Sequence, residues 1–192
     1  MIEMELLDGE VSMTKNGDVE FHSTRMPKTS RLPFHLPSST VKTMASLVIY
    51  LRHIANVGDT LIVDEPEMNF HPDVQVLLAR IFAIMSSRGL KIVVSTHSDY
   101  IIRELNNLIM ASALIKKHMF DMASKMGYNK EMCVDYNDIS VLYFEYSGKK
   151  SVKVRPLAVD MDGFSVDSID STIFDQNERA NALYDELHDE NE

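Results

Sequence analysis

Two continuous apolar runs in the middle of the chain each end abruptly in polar residues. The first run spans residues 60–64 and the second spans residues 91–95. A strand that is apolar without alternation is typical of a parallel sheet, in which both faces of the strand are buried. The sequence therefore predicts two parallel strands at these positions, with both faces covered.

Three stretches with apolar residues at helical spacing flank these strands. The first is expected to begin at Ser38 or Ser39, because serine is a good N-cap. The second begins with Pro72 in its first turn, where proline is well tolerated, and the third covers residues 99–118. Helices that alternate with strands in this way predict an α/β fold, with parallel strands and flanking helices.

Each end of this α/β segment carries a predicted β-hairpin. Residues 10–14 and 18–22 flank an Asn-Gly pair, which is a strong signal for a tight turn. Residues 139–146 and 151–159 flank a short polar segment with one glycine, and they form the second predicted hairpin.

The remaining stretches are predicted from composition. Residues 25–37 contain three prolines and are expected to form a loop. The C-terminal end is acidic, with a helix expected near residues 176–188. We therefore predict one main domain over residues 1–160 and an acidic, helical extension over residues 161–192.

Composition excludes several classes of protein. The chain has 192 residues, 45% of them hydrophobic, and a formal net charge of -10, which argues against a protein that coats nucleic acid. The single cysteine, Cys133, rules out an internal disulfide and fits a reducing compartment. No apolar stretch approaches the roughly 20 residues of a membrane span, and the N-terminal residues lack a signal-peptide pattern. The expectation is a cytoplasmic protein without a membrane partner.

The candidate chemistry lies where the two predicted strands end. Asp64 and Glu65 follow the first strand, and His97 follows the second. In open α/β sheets, ligands bind just beyond the carboxyl ends of the strands. Adjacent carboxylates at such an edge suit a metal-bound phosphate together with an activated water molecule.

Four segments, in this chain order, resemble the motifs of ABC-type ATPases of the RecF-like and OLD-like branch. Pro37–Lys42 resembles the signature loop in its serine-rich form, and Thr60–Pro66 resembles the Walker B strand. Glu67–Pro72 is similar to the D-loop, and Val94–Ser98 is similar to the switch-histidine strand. The resemblance covers about residues 5–115, so the fold it implies is part of a P-loop NTPase domain.

The resemblance also implies roles for individual residues. Asp64 belongs to the magnesium shell, Glu65 polarises the attacking water, and His97 reaches towards the γ-phosphate of ATP. Contacts to the nucleotide are implied for residues of the signature loop and the D-loop, namely Ser38, Ser39, Thr40, Lys42 and Asn69. Ser38 and Ser39 could equally be plain helix caps, and a cap at a helix N-terminus is compatible with phosphate binding.

One motif of the family does not occur in the sequence. No Gly-x-x-x-x-Gly-Lys-Ser/Thr loop, the Walker A motif that cradles phosphates, is present. The family places this loop before the signature loop, so the chain looks like the C-terminal half of a longer ATPase. An excised piece, a split gene product and a degenerate remnant all fit this interpretation.

Family membership would imply a function and partners. The function is ATP hydrolysis with Mg²⁺, in DNA repair or in defence against phage and plasmids. The partners are a second copy of the chain or a Walker A-containing half, with a nuclease effector and DNA beside them. The alternative hypothesis is a non-catalytic interaction module that docks on a complete ATPase subunit.

Two other motifs compete for the residues near 160. Asp160 and Asp162 resemble the nucleophile and the acid/base of haloacid-dehalogenase phosphatases. Only about thirty residues follow them, which is too few for the other motifs of that fold. A calcium-binding EF-hand is also excluded, since no glutamate closes the loop at the required distance. We predict a turn with solvated acidic residues.

Overall fold

The computed structural model describes the residues 9–14, 19–24, 27, 32–33, 39–147 and 151–189. The chain divides into two compact units, Met1–Val134 and Asp135–Glu192. The boundary predicted at residue 160 lies between the ATPase-like motifs and the acidic extension. It is a different kind of division from the compact units, and it stays a prediction. No helix in the described segments has both the length and the hydropathy that a membrane span requires.

The first unit opens with a small antiparallel sheet. Strand β1 (Gly9–Met13) pairs with β2 (Val19–Ser23), which confirms the first predicted hairpin, although its turn lies outside the described residues. A two-residue strand, β3 (Leu32–Pro33), adds to β2. It falls in the segment predicted as a loop. It is also short, and proline has no backbone N–H to donate to a ladder, so sequence patterns do not reveal it.

The α/β segment follows in the predicted order. It consists of α1 (Ser39–His53), β4 (Thr60–Asp64), α2 (Pro72–Ser87), β5 (Lys91–Ser95) and α3 (Asp99–Lys116). Strands β4 and β5 pair in parallel, so the predicted strands, their direction and the three helices are confirmed.

The burial of the parallel strands differs from the prediction. On one face, Leu61, Val63, Ile92 and Val94 pack against the core. On the other face, Ile62 is 73% exposed and Val93 is 51% exposed. The prediction that both faces are buried is therefore wrong for this chain, because no element among the described residues of the first unit covers the outer face of the strand pair.

Gly89 determines how α2 connects to β5. Its φ of +95° lies in the region that side chains rarely adopt, and a Cβ atom there would lie 2.8 Å from a methyl group of Val57. Its carbonyl accepts a hydrogen bond from the Gly58 amide at 2.8 Å. Glycine therefore ends the helix, as predicted, and lets the chain return beside β4.

A partly buried polar cluster around Glu104 joins α2 and α3. Glu104 is only 4% exposed, and its Oε1 accepts a hydrogen bond from Arg80 Nε at 2.6 Å. The hydroxyl of Tyr128 and the side-chain amide of Asn107 donate to the other oxygen at 3.3 and 3.2 Å. Burial, followed by the charge of Glu104, raises the pKa of Tyr128. The cluster satisfies the buried carboxylate, as a stable interior requires.

Three short elements after α3 were not predicted. They are α4 (Phe120–Lys125) and two single turns of 3₁₀-helix at Lys130–Met132 and Tyr136–Asp138. Elements of three to six residues are too short to show a hydrophobic period. Local capping sets the two 3₁₀ turns, since the Asn129 side chain accepts from the amides of Glu131 and Met132, and the Asp135 side chain accepts from the Asn137 amide.

The second unit contains the predicted C-terminal elements. Strands β6 (Val141–Tyr146) and β7 (Val152–Leu157) pair antiparallel, which confirms the second hairpin. Helix α5 spans Asp167–Asp189 and begins earlier than the helix expected near 176–188. Between them, Asp160 and Gly163 form a two-residue bridge, which agrees with the predicted turn.

Candidate functional site

Asp64 and Ser95 end the two parallel strands and face each other in the ladder. The Ser95 hydroxyl donates a hydrogen bond to Oδ1 of Asp64. The amide of Glu65 donates to the carbonyl of Ser95 at 3.0 Å and lies 3.2 Å from its hydroxyl oxygen. These contacts extend the ladder by one residue and orient the Asp64 carboxylate at the edge of the sheet.

The chain leaves β4 through a turn with unusual backbone geometry. Glu65 has a φ of 43° and Asn69 a φ of 64°, both in the left-handed region. Asparagine tolerates this region well, but glutamate does so at a cost. Hydrogen bonds from the Met68 amide to the Glu65 carbonyl (3.1 Å) and from the Phe70 amide to the Glu67 carbonyl (2.9 Å) hold the turn. A strained acidic residue at a strand end is a feature that clusters at functional sites.

Glu65 and His97 lie at the same edge of the strand pair. The distance from Glu65 Oε1 to His97 Nε2 is 3.7 Å. The His97 side chain is 89% exposed, so the contact with Glu65 is open to solvent. An exposed pair of this kind contributes little to stability.

Glu67 is a site residue that the sequence analysis did not single out. Its Oε1 accepts hydrogen bonds from the Thr96 hydroxyl at 2.8 Å and from the His97 amide at 2.7 Å. It therefore links the turn after β4 to the turn after β5. The available signal was a third carboxylate directly after the Asp-Glu-Pro sequence, and the sequence alone did not show what it contacts.

A second set of hydrogen bonds connects the same two turns to the helices that follow them. The Ser98 hydroxyl donates to the side-chain oxygen of Gln75 and accepts from the Ile101 amide at 3.1 Å, so Ser98 caps α3. The side-chain amide of Gln75 in turn donates to the Phe70 carbonyl at 2.9 Å. The first turns of α2 and α3 thus hold the loops that carry Glu65 and His97.

His71 forms a local contact at the start of α2. Its Nδ1 lies 2.7 Å from Oδ1 of Asp73, and both side chains are exposed. The hydrogen bond with His71, followed by the one from the Val74 amide, lowers the pKa of Asp73. The contact stabilises the turn before the helix, in agreement with a structural role for His71.

The structure describes only part of the predicted nucleotide contacts. Ser38 lies outside the described residues. Ser39 and Thr40 form the first turn of α1, and their side chains are not described. Lys42 is half-buried on that helix, and Asn69 lies exposed in the turn after β4. Their roles towards a nucleotide stay predictions.

The donors at the edge of the sheet determine which kind of metal site is feasible. The described residues contain no group of three or more His, Cys, Asp or Glu side chains that could hold a metal ion. Mg²⁺ is usually bound through one or two carboxylates, with waters and substrate phosphates completing its shell. Asp64 fits such a shared shell, in which the nucleotide provides the remaining oxygens.

The sequence of the segment just described is similar to a known family. Residues 16–103 match the family described as "AAA domain, putative AbiEii toxin, Type IV TA system". The match runs from the first hairpin through the Asp-Glu and histidine loops and ends inside α3. A search of curated proteins gives no significant match.

A solved structure shares the fold. It comes from work on the ATP-driven dimerization and DNA-stimulated activation of SMC ATPases. The two chains are 11% identical, with a TM-score of 0.50, and the similarity covers 82% of this chain and 79% of the other. At this identity the likeness shows the fold alone. Together the two comparisons support an ATPase-like α/β domain, and neither distinguishes the RecF-like or OLD-like branch.

Proposed function

We propose that this chain provides the hydrolytic part of an ATP-binding site in an ABC-type ATPase. The observation that carries the proposal is the contact between Glu65 and His97, 3.7 Å apart at the strand edge where Asp64 also lies. An acidic pair and an imidazole at the carboxyl ends of parallel strands suit phosphoryl transfer to water. The similarity to the family and to the solved structure is consistent with this chemistry.

Each of the three side chains has a distinct role in the proposed reaction. The Glu65 carboxylate orients the attacking water and accepts its proton. The exposed His97 imidazole would contact the γ-phosphate, and the Asp64 carboxylate, which Ser95 orients, would hold a magnesium ion. When bound, Mg²⁺ supplies positive charge that stabilises the phosphate oxygens. The protein therefore contributes mainly position and electrostatics, as in other phosphoryl-transfer enzymes.

The exposed outer face of the strand pair supports the proposal that another segment completes the site. Ile62 and Val93 are exposed there, whereas parallel strands in complete domains are covered on both faces. The sequence also has no phosphate-cradling loop. A segment that carries this Walker A loop would both cover the apolar face and supply the missing phosphate contacts.

The biological setting is proposed from the same resemblance. The matched family is described with a putative toxin of a type IV toxin–antitoxin system, which favours defence against phage or plasmids, with DNA repair as the other setting. The solved relative concerns ATP-driven dimerization and stimulation by DNA, which favours a dimer that responds to DNA. A nuclease effector remains part of the proposal. The net charge of -10 places any DNA contact on a local surface or on a partner.

Nuclear magnetic resonance on the ¹⁵N-labelled chain tests the proposal directly. Titration with ATP and Mg²⁺ should shift the amide signals of residues 64–65 and 95–98, with weak affinity. Asp64→Asn should remove the magnesium dependence of these shifts. Asp138→Asn, at an exposed position in the other unit, is the matched control. Shifts that are absent, or that persist unchanged in Asp64→Asn, would contradict the proposal and favour a non-catalytic docking module.

A further inference from the structure

We propose that Glu67 is a positioning residue that holds the main chain of His97 and thereby sets the imidazole opposite Glu65. The inference rests on the proposed function, because it concerns how the histidine of that site is placed. In this proposal, Glu67 links two turns at the edge of the sheet, one at residues 65–69 and the other at residues 96–98.

The contacts of one carboxylate oxygen carry the proposal. Oε1 of Glu67 accepts from the Thr96 hydroxyl at 2.8 Å and from the His97 amide at 2.7 Å. The Thr96 hydroxyl oxygen also accepts from the Ser98 amide at 3.0 Å. Hydrogen bonds to an ionised acceptor are shorter and stronger than bonds between neutral groups. The carboxylate therefore determines the path of three consecutive residues after β5.

The exposure of His97 makes this backbone contact important. Its side chain is 89% exposed, so packing contributes little to the orientation of the ring. The position of the ring follows from the main chain that carries it, and the His97 amide is bonded to Glu67. A small rotation of that peptide would change the distance of 3.7 Å between His97 Nε2 and Glu65 Oε1.

The other carboxylate oxygen of Glu67 has no role in holding the two turns together. Oε2 is buried and has no hydrogen-bond partner among the described residues. Buried carboxylate oxygens are normally satisfied, and an orphan of this kind is costly and calls for an explanation. An N–H or O–H donor from a completing segment can bond to Oε2. The carboxylate that holds His97 would then also respond to assembly of the site.

The same turn connects Glu67 to Glu65. Glu65 lies two positions before Glu67 in a turn that the Met68 and Phe70 amides close. The strained φ of 43° at Glu65 is maintained by this turn. Glu67 thus bonds to the main chain of His97 through its side chain, and it lies in the same turn as Glu65.

The first arm of the test uses the isolated chain and does not depend on ATP hydrolysis. Glu67→Ala should raise the hydrogen-exchange rate of the His97 amide by about tenfold, since a strong bond to that amide is lost. Glu67→Gln keeps an acceptor oxygen without the charge, and it should give an intermediate rate. Glu131→Gln, whose carboxylate contacts Arg88 away from this edge, is the control. An unchanged His97 amide in both Glu67 variants would overturn the proposal.

The second arm measures turnover with a phosphate loop supplied by a Walker A-containing segment. Glu67→Ala should lower kcat by about tenfold or more with little change in KM for ATP, and Glu67→Gln should restore part of the loss. Normal kcat in Glu67→Ala would overturn the positioning role while the proposed function stands. If the wild-type assembly does not hydrolyse ATP, the proposed function fails, and amide exchange still decides whether Glu67 holds His97.

Discussion

Ser95 and Asp64 are the last residues of neighbouring parallel strands, and the Ser95 hydroxyl donates a hydrogen bond to the Asp64 carboxylate. The same hydroxyl oxygen lies 3.2 Å from the Glu65 amide. One serine therefore orients the predicted magnesium ligand and contacts the main chain of the predicted catalytic glutamate. Such outer contacts fix the direction of a metal-binding side chain.

Ser95→Ala should weaken the magnesium dependence of nucleotide binding. Loss of an outer contact to a metal ligand typically costs about 10- to 100-fold in metal affinity or activity. Isothermal titration or amide shifts with ATP and increasing Mg²⁺ would measure the change. Ser87→Ala, which removes hydroxyl contacts to the Ile84 and Glu131 carbonyls, is the control variant. Equal magnesium dependence in Ser95→Ala and wild type would show that Ser95 does not orient the metal ligand, whereas Asp64→Asn tests the ligand itself.

Glu65→Gln should abolish turnover in an assembly with a complete nucleotide pocket and leave ATP binding intact. The amide keeps the size of the carboxylate but cannot accept the proton of the attacking water. Loss of a general base costs about 100-fold or more. Steady-state hydrolysis and equilibrium binding of ATP should be measured on the same preparation. Near-normal turnover would move the catalytic role away from Glu65.

The chain by itself should bind ATP weakly and hydrolyse little of it. Its sequence has no phosphate-cradling loop, which supplies most contacts to the β- and γ-phosphates in P-loop enzymes. Calorimetry with ATP and Mg²⁺ measures the affinity directly. Low-micromolar affinity of the isolated chain would contradict the expectation that another segment completes the pocket.

Ser38→Arg tests the predicted dimer, in which the loop before α1 completes the site of the opposite subunit. A two-fold interface is self-complementary, so the bulky cation would block both composite sites at once. ATP-dependent dimerisation and hydrolysis should fall together in the completed protein, while nucleotide binding to a single subunit survives. Light scattering and turnover measure the two effects. Unchanged dimers and turnover would leave the serine as a plain helix cap.

The partly buried cluster around Glu104 predicts a loss of stability at alkaline pH. Burial, followed by the charge of Glu104, raises the pKa of Tyr128 above its ordinary value of 10.0. As the pH rises, the Tyr128 hydroxyl therefore loses its proton in the unfolded chain before it does so in the folded chain. The contribution to stability is complete below about pH 10 and is lost as the pH rises through the folded-state pKa.

Urea denaturation between about pH 9 and 12 measures this effect. Tyr128→Phe should flatten the alkaline decline, because the group that titrates has been removed. Tyr146→Phe, at a position that is 89% exposed, is the matched control. An equal decline in Tyr128→Phe and wild type would assign the alkaline loss to other groups.

The sequence by itself determined the main helices and strands and which candidate residues lie at one edge of the sheet. The apolar runs predicted β4 and β5, and the helical spacing predicted α1, α2 and α3, because these signals depend on local periodicity. The sequence also predicted that Asp64 and His97 lie at one edge, since the carboxyl ends of parallel strands lie at the same side of a sheet.

The tertiary structure decided what these residues contact. The bond from the His97 amide to Glu67 joins positions 30 residues apart, and no local pattern encodes it. The exposure of Ile62 was likewise not readable, because an apolar run shows that a face prefers burial without showing which element covers it. Long-range contacts depend on how elements pack, whereas periodicity depends only on neighbours along the chain.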